Sequence, residues 1–124
     1  MVDPVYMFTL AGQHAEWASV RQAAVTGNIA NAGTSGYTAV EVEPFAKVLA
    51  EAGTGMARTQ PGHFAIGGGA EGGAPSFGIE DTGGPVALDR ELIKAGEANR
   101  AFALDVAIVS AFHRMLMASV RSGV

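Results

Sequence analysis

From Leu88 onward the chain sets residues alternately four and three positions apart: Leu88, Leu92, Ala95, Asn99, Phe102, Val106, Val109, His113, Leu116 and Val120. That alternation keeps one stripe of a helix facing a partner, as the a and d positions of a heptad do. Asn99 and His113 are polar members of this seam, and polar seam residues select register and partner at some cost in stability. A second stripe of Ala101, Asp105, Ile108, Phe112, Met115 and Ser119 widens the face in its later half. Asp89 and Glu91 near the start, with Arg114 and Arg121 near the end, complement the helix dipole. A helix is therefore predicted from residue 88 to about residue 121, with Gly96 its one weak position.

The opening segment repeats the pattern with smaller side chains. Phe8, Ala11, Ala15, Ala18, Gln22, Val25, Ile29 and Ala32 again follow the heptad alternation over residues 4 to about 32, and half of them are Ala. A partner helix can approach such a face closely. Met7, Leu10 and Trp17 lie off the seam and form a second apolar surface. Between the helices the periodicity is lost, and eleven of the seventeen glycines fall in residues 53–84. A mobile linker is expected there, with a short β-hairpin between residues 64–66 and 77–79. The fold class is mainly α, with two long terminal helices in a coiled-coil-like pair joined by a Gly-rich loop. Within one domain, residues 1–37 form the first helix and its turn, 38–87 the linker and 88–124 the heptad helix.

Composition sharpens this picture. The 124 residues include 23 Ala and 17 Gly, so much of the chain offers at most a methyl group to a core. Two helices with Ala-rich seams bury little area, and the second stripes also need cover. The economical solution is other subunits. Eight Lys and Arg against twelve Asp and Glu give a net charge of −4 with no basic cluster, which argues against nucleic acid as a partner. With no Cys, disulfides and thiol chemistry are excluded. No uninterrupted apolar run reaches a membrane-spanning length of about eighteen residues. The first basic residue is Arg21, so no Sec-type signal peptide is expected at the N-terminus.

The most distinctive string is Gly27-Asn28-Ile29-Ala30-Asn31-Ala32-Gly33-Thr34-Ser35-Gly36-Tyr37. Asn28 and Asn31 suit the unpaired groups of a helix end. Gly33 suits a left-handed cap, Gly36 permits a second positive φ, and Tyr37 can fold back as a lid. Each residue singly also fits an ordinary capped helix. Residues 67–72 match G-x-G-x-x-G formally, but Gly73-Ala74-Pro75 follows where a dinucleotide site needs a helix to open. His14, His63 and His113 lie in three separate zones without metal-ligand spacing. His113 reads better as a satisfied core histidine. Ser110, Ser119 and Ser122 lack an adjacent base pattern, and Glu80-Asp81 reads as a solvated pair. The residues offer no catalytic, metal-binding or cofactor-binding constellation, and no small-molecule substrate is expected.

The turn resembles the Asn-x-x-Asn-x-x-Thr-x-Gly-Tyr signature of bacterial flagellar axial proteins, matched here by Asn28, Asn31, Thr34, Gly36 and Tyr37. Residues 16–22, Val42-Glu43-Pro44-Phe45, Val86-Ala87-Leu88-Asp89 and Phe112-His113-Arg114-Met115 are similar to the proximal-rod family of FlgB type. The likeness covers residues 10–50 and 84–120 and leaves the Gly-rich middle unmatched. Thr38 departs from it, since Lys or Arg often follows the Tyr. The resemblance implies a non-enzymatic structural subunit of the flagellar basal-body rod, self-assembling after type III export without a cleaved signal peptide. It places the rod across the periplasm. Implied partners are other copies of the chain, other proximal-rod proteins, the adaptor joining rod to membrane ring, and the export gate. It assigns gate engagement to Phe45 and Leu49, two residues whose spacing equally suits packing against the helices. Alternatives are the sister proximal-rod protein and a small helical export chaperone or adaptor.

Overall fold

The computed structural model describes residues 4–53 and 77–123. Helix α1 (Pro4–Ala30) is followed by strand β1 (Val40–Val42), helix α2 (Phe45–Gly53), strand β2 (Ile79–Asp81) and helix α3 (Leu88–Ser122). The two terminal helices lie within two residues of their predicted bounds. At 1.5 Å per residue they are about 40 Å and about 52 Å long. Residues 54–76, which hold most of the expected mobile linker and residues 64–66 of the expected hairpin, lie outside the described residues.

Helices α1 and α3 run antiparallel. His14 meets Asp105, Arg21 meets Glu97 and Asn28 meets Glu91, so each turn forward on α1 is a turn back on α3. Their contact is thin. Ala11, Ala18 and Val25 are buried on α1, against Glu91, Ala98 and Asp105 on α3. Small residues let the helices approach closely but contribute little area each.

The face of α3 that meets α1 is not its heptad seam. The second stripe does most of the packing: Asp105 is buried, and Ala101, Ile108 and Phe112 are half-buried. Leu92, Phe102, Val106 and Leu116 are 44–67% exposed, Asn99 and His113 are exposed as well, and Ala95 and Val109 are half-buried. His113 is therefore no core histidine within the chain. α3 is long and apolar enough to span a membrane by length and composition alone, with a mean hydropathy of 1.5 over an 18-residue window, of which 6% is buried.

The sheet pairs β1 with β2 antiparallel, with Val40 opposite Asp81, Glu41 opposite Glu80 and Val42 opposite Ile79. Residues 79–81 thus pair with the segment before α2. The facing Glu41 and Glu80 would repel. Lys94 lies 3.2 Å from Glu41, and Lys47 lies 3.9 Å from Glu80, which offsets that repulsion. Trp17, Ala18 and Val42 form the core cluster, with Val20, Ala24, Phe45, Phe77 and Ala101 packed around it. Because Ala18 is fully buried at the helix contact, Ala18→Leu should force α1 and α3 apart. We expect a loss of about 1–3 kcal/mol, measured by urea unfolding.

Candidate functional site

The signature string builds a joint between three elements. As α1 ends, the Asn31 amide donates to the carbonyls of Gly27 and Asn28 at 3.1 and 3.2 Å. Its side-chain Nδ2 also donates to the Gly27 carbonyl at 2.9 Å, covering a helix-end acceptor. The chain then turns through Thr34, whose amide donates to the Asn31 carbonyl and whose hydroxyl lies 3.3 Å from Asn31 Oδ1. Gly36 carries the reversal at φ +78°, a region that a side chain disfavours. Gly33, expected as the left-handed cap, does not have positive φ. The Asn31 bonds close the helix without it.

Asn28 is fully buried at the centre of the joint. Its Nδ2 donates to the Val40 carbonyl at 2.8 Å and to Glu91 Oε2 at 3.0 Å. Its Oδ1 accepts from the Val40 amide at 3.0 Å and from the Tyr37 hydroxyl at 3.2 Å. A primary amide has two N–H donors and one oxygen with two lone pairs, so every valence is used. Toward β1 the side chain acts as a short neighbouring strand. Tyr37 does fold back, as expected. Glu91, read from the sequence as a dipole-complementing residue, is 3% exposed and tied to Asn28 and to Lys94 at 3.2 Å.

Charges around the joint are arranged to match. Partial burial pulls the Lys94 pKa down, but the bonds to Glu91 and Glu41 outweigh it and raise the pKa above the ordinary lysine value. The Gly83 amide and the Thr38 hydroxyl, 2.8 and 2.7 Å from the Asp81 carboxylate, hold its pKa below the usual range. Thr38 thus anchors β2 by a hydrogen bond at the position where the resemblance leads one to expect a basic residue.

A second cluster was not foreseen. The buried Asp105 lies 2.6 Å from His14 Nδ1. His14 stacks on Trp17 at 5.3 Å between ring centroids and meets Phe45 edge-on at 4.8 Å. The Trp17 indole N–H donates to the Glu43 carbonyl at 2.7 Å, pinning the chain just before α2. The hint in the sequence was Asp105 itself, an acid inside an apolar stripe that requires a partner. Phe45 packs into this aromatic group at the start of α2, and Leu49, one turn on, is half-buried. The remaining seam residues stand apart from both clusters, along the flank of α3. Among the described residues no group of three or more His, Asp or Glu is placed to hold a metal.

Two long helices locked at one end by polar side chains, with a heptad stripe left bare, define a helical structural module whose larger apolar side chains on α3 lie mostly on the outside. Over 129 aligned positions the chain is 37% identical to the flagellar basal body rod protein FlgB of Agrobacterium fabrum (strain C58 / ATCC 33970), spanning 97% of this chain and 96% of that one. The chain belongs to the FlgB family of flagellar basal-body rod proteins. No protein-family model matches it.

Asn28→Asp tests the joint with almost no change in shape. It aims a carboxylate at the Val40 carbonyl and at Glu91 in a buried site, and we expect a loss of about 3 kcal/mol or more in chemical unfolding. Because the Lys94 pKa is raised on folding, its contribution is complete below the ordinary lysine value and fades as pH rises through the folded-state value. Lys94→Met should therefore flatten the alkaline limb of a stability-against-pH curve.

Proposed function

We propose that this chain is a non-catalytic structural subunit of the proximal rod in the flagellar basal body. It takes its place beside further copies, other proximal-rod proteins and the adaptor that links the rod to the membrane ring. The rod crosses the periplasm, and the chain reaches it through the flagellar type III apparatus without a cleaved signal peptide. Its work is mechanical: helices packed side by side transmit torque.

The observation that carries this reading is the bare seam of α3, where Leu92, Phe102, Val106 and Leu116 are exposed on a helix already packed along another stripe. Lipid would be an alternative cover for so apolar a helix. Protein cover is favoured by the kinship with a rod protein and by the polar seam residues Asn99 and His113, which suit a specific helical neighbour better than hydrocarbon.

Engagement of the export gate is assigned to Phe45 and Leu49. In the folded chain Phe45 belongs to the core, so this role falls to a state in which α2 is undocked. Leu49→Ala is the cleaner variant, because Phe45→Ala also empties a packed site. It should lower the amount of chain secreted by flagellated cells while the intracellular amount is unchanged; full secretion would remove the gate role. Leu92→Asp changes a residue 58% exposed, so the chain should fold normally yet fail to restore swimming to cells lacking the native protein. Normal swimming would mean that the seam is not an assembly surface.

A further inference from the structure

Helix α2 is attached to the molecule mainly at one end. The long helices pack on each other, α1 packs on β1 and β1 pairs with β2, whereas α2 makes no comparable contact with any of them among the described residues. Its hold lies in its first turn and in the chain just ahead of it. The Trp17 indole N–H donates to the Glu43 carbonyl at 2.7 Å. The Phe45 ring meets the His14 ring edge-on at 4.8 Å between centroids and lies 6.0 Å from the Trp17 ring. His14 is in turn fixed by the buried Asp105, 2.6 Å from its Nδ1. Farther along, the exposed Lys47 pairs with Glu43 and lies 3.9 Å from Glu80, a surface contact that contributes modestly.

The seat is also loosely filled. A cleft of about 160 Å³ lies beside Phe45, lined by Met7, Leu10, His14 and Ile108 among others. Atoms that border such a gap lack contact partners on one side, so the Phe45 ring gains less from its site than a close-packed core ring does. Nor does α2 stand alone: its nine residues fall short of the roughly 12–15 at which isolated helices begin to hold in water. Loss of the seat therefore unwinds α2 as well as freeing it. The helix pair keeps its own contacts, with Arg21 on Glu97 and Asn28 on Glu91, and neither passes through α2. Opening of α2 is then a local event that leaves the long helices formed.

We propose that the seat of α2 on His14 and Trp17 is an autoinhibitory latch, which withholds Phe45 from a receptor until α2 comes away. The latch rests on the reading that assigns gate engagement to Phe45 and Leu49, and it adds the residues that control that engagement. One ring cannot fill the seat and an apolar pocket of the export gate at once, so seat and gate compete for it. While the docked state dominates, apparent affinity for the gate scales with the small fraction of open chains. A folded subunit is thereby silent to the export gate with no second protein covering it. His14 and Trp17 are positioning residues in this device, and Phe45 is the group they hold.

Trypsin reads the latch without reference to export, because the bond after Lys47 becomes cleavable when α2 unwinds. Trp17→Phe removes the bond to Glu43 and keeps an aromatic ring. It should speed cleavage between Lys47 and Val48 about fivefold, the factor that one ordinary hydrogen bond carries, with helical circular dichroism retained. Val25→Ala makes a cavity in the helix pair two turns farther along α1. It should lower global stability yet leave that cleavage rate unchanged. In cells lacking the native protein, Trp17→Phe should raise the secreted share of the chain and Val25→Ala should not. His14→Gln leaves Asp105 a donor but takes away the ring that faces Phe45, and it should act in the same sense as Trp17→Phe. Equal acceleration by Val25→Ala, or no acceleration by either opening variant, would overturn the latch. So would faster cleavage without greater secretion, an outcome that leaves the gate reading standing where Leu49→Ala lowers secretion. Full secretion of Leu49→Ala removes the gate reading itself, and the latch with it.

Discussion

The structure depends on satisfying one buried amide. Asn28 sits near the end of α1, and its four hydrogen bonds tie that helix to β1 twice, to α3 and to Tyr37 in the turn. Inside a protein an unpaired polar group costs more than a bond gains, so this position is held by completeness as much as by strength. The Val40 amide and carbonyl find their partners in a side chain, which allows a two-stranded sheet to be tied to α1 without a third strand. Glu91 is tolerated out of water because Asn28 and Lys94 both donate to it. Among the described residues no buried side-chain nitrogen or oxygen lacks a partner.

Away from that joint the molecule is thin. Alanine contacts hold α1 and α3 close, but the larger apolar side chains of α3 point mostly elsewhere. Alignment is instead set by polar pairs. The exposed Arg21–Glu97 bridge contributes modestly, as surface pairs do. Asp105 is different, because removing His14 would strand a buried carboxylate. Helices positioned by a few polar contacts, with their apolar stripes left bare, suit a subunit of a larger rod better than a self-sufficient globule.

Much of this was legible in the spacing of residues. The ends of both long helices followed from apolar periodicity, and the folding back of Tyr37 from the signature string, whereas Asn28 was expected to serve the helix end and instead bonds Val40, Glu91 and Tyr37. The inward face of α3 did not follow. A heptad stripe of Leu, Phe and Val marks where most apolar area lies, not whose side chains cover it, and Ala98 and Ala101 give a weak signal although they make the contact. Pairs such as His14–Asp105, separated by 91 positions, leave no trace in local spacing. The partner of residues 79–81 was missed for a related reason: β1 is three residues long, too short for alternation to stand out. Gly33 suits a cap only for a helix that runs to about residue 32, whereas α1 ends at Ala30, where Asn31 closes it and the reversal falls at Gly36.

The lone tryptophan has an optical consequence. Trp17 is 9% exposed, its indole is bonded to the backbone ahead of α2, and the Arg21 guanidinium sits 5.4 Å from its ring centre. Its fluorescence therefore reports on a single place, the seat of α2 on the helix pair. Emission will shift to the red when that seat opens to water, even while the long helices stay formed. The chain thus carries its own spectroscopic label for distinguishing a loosened α2 from global unfolding, with no dye attached.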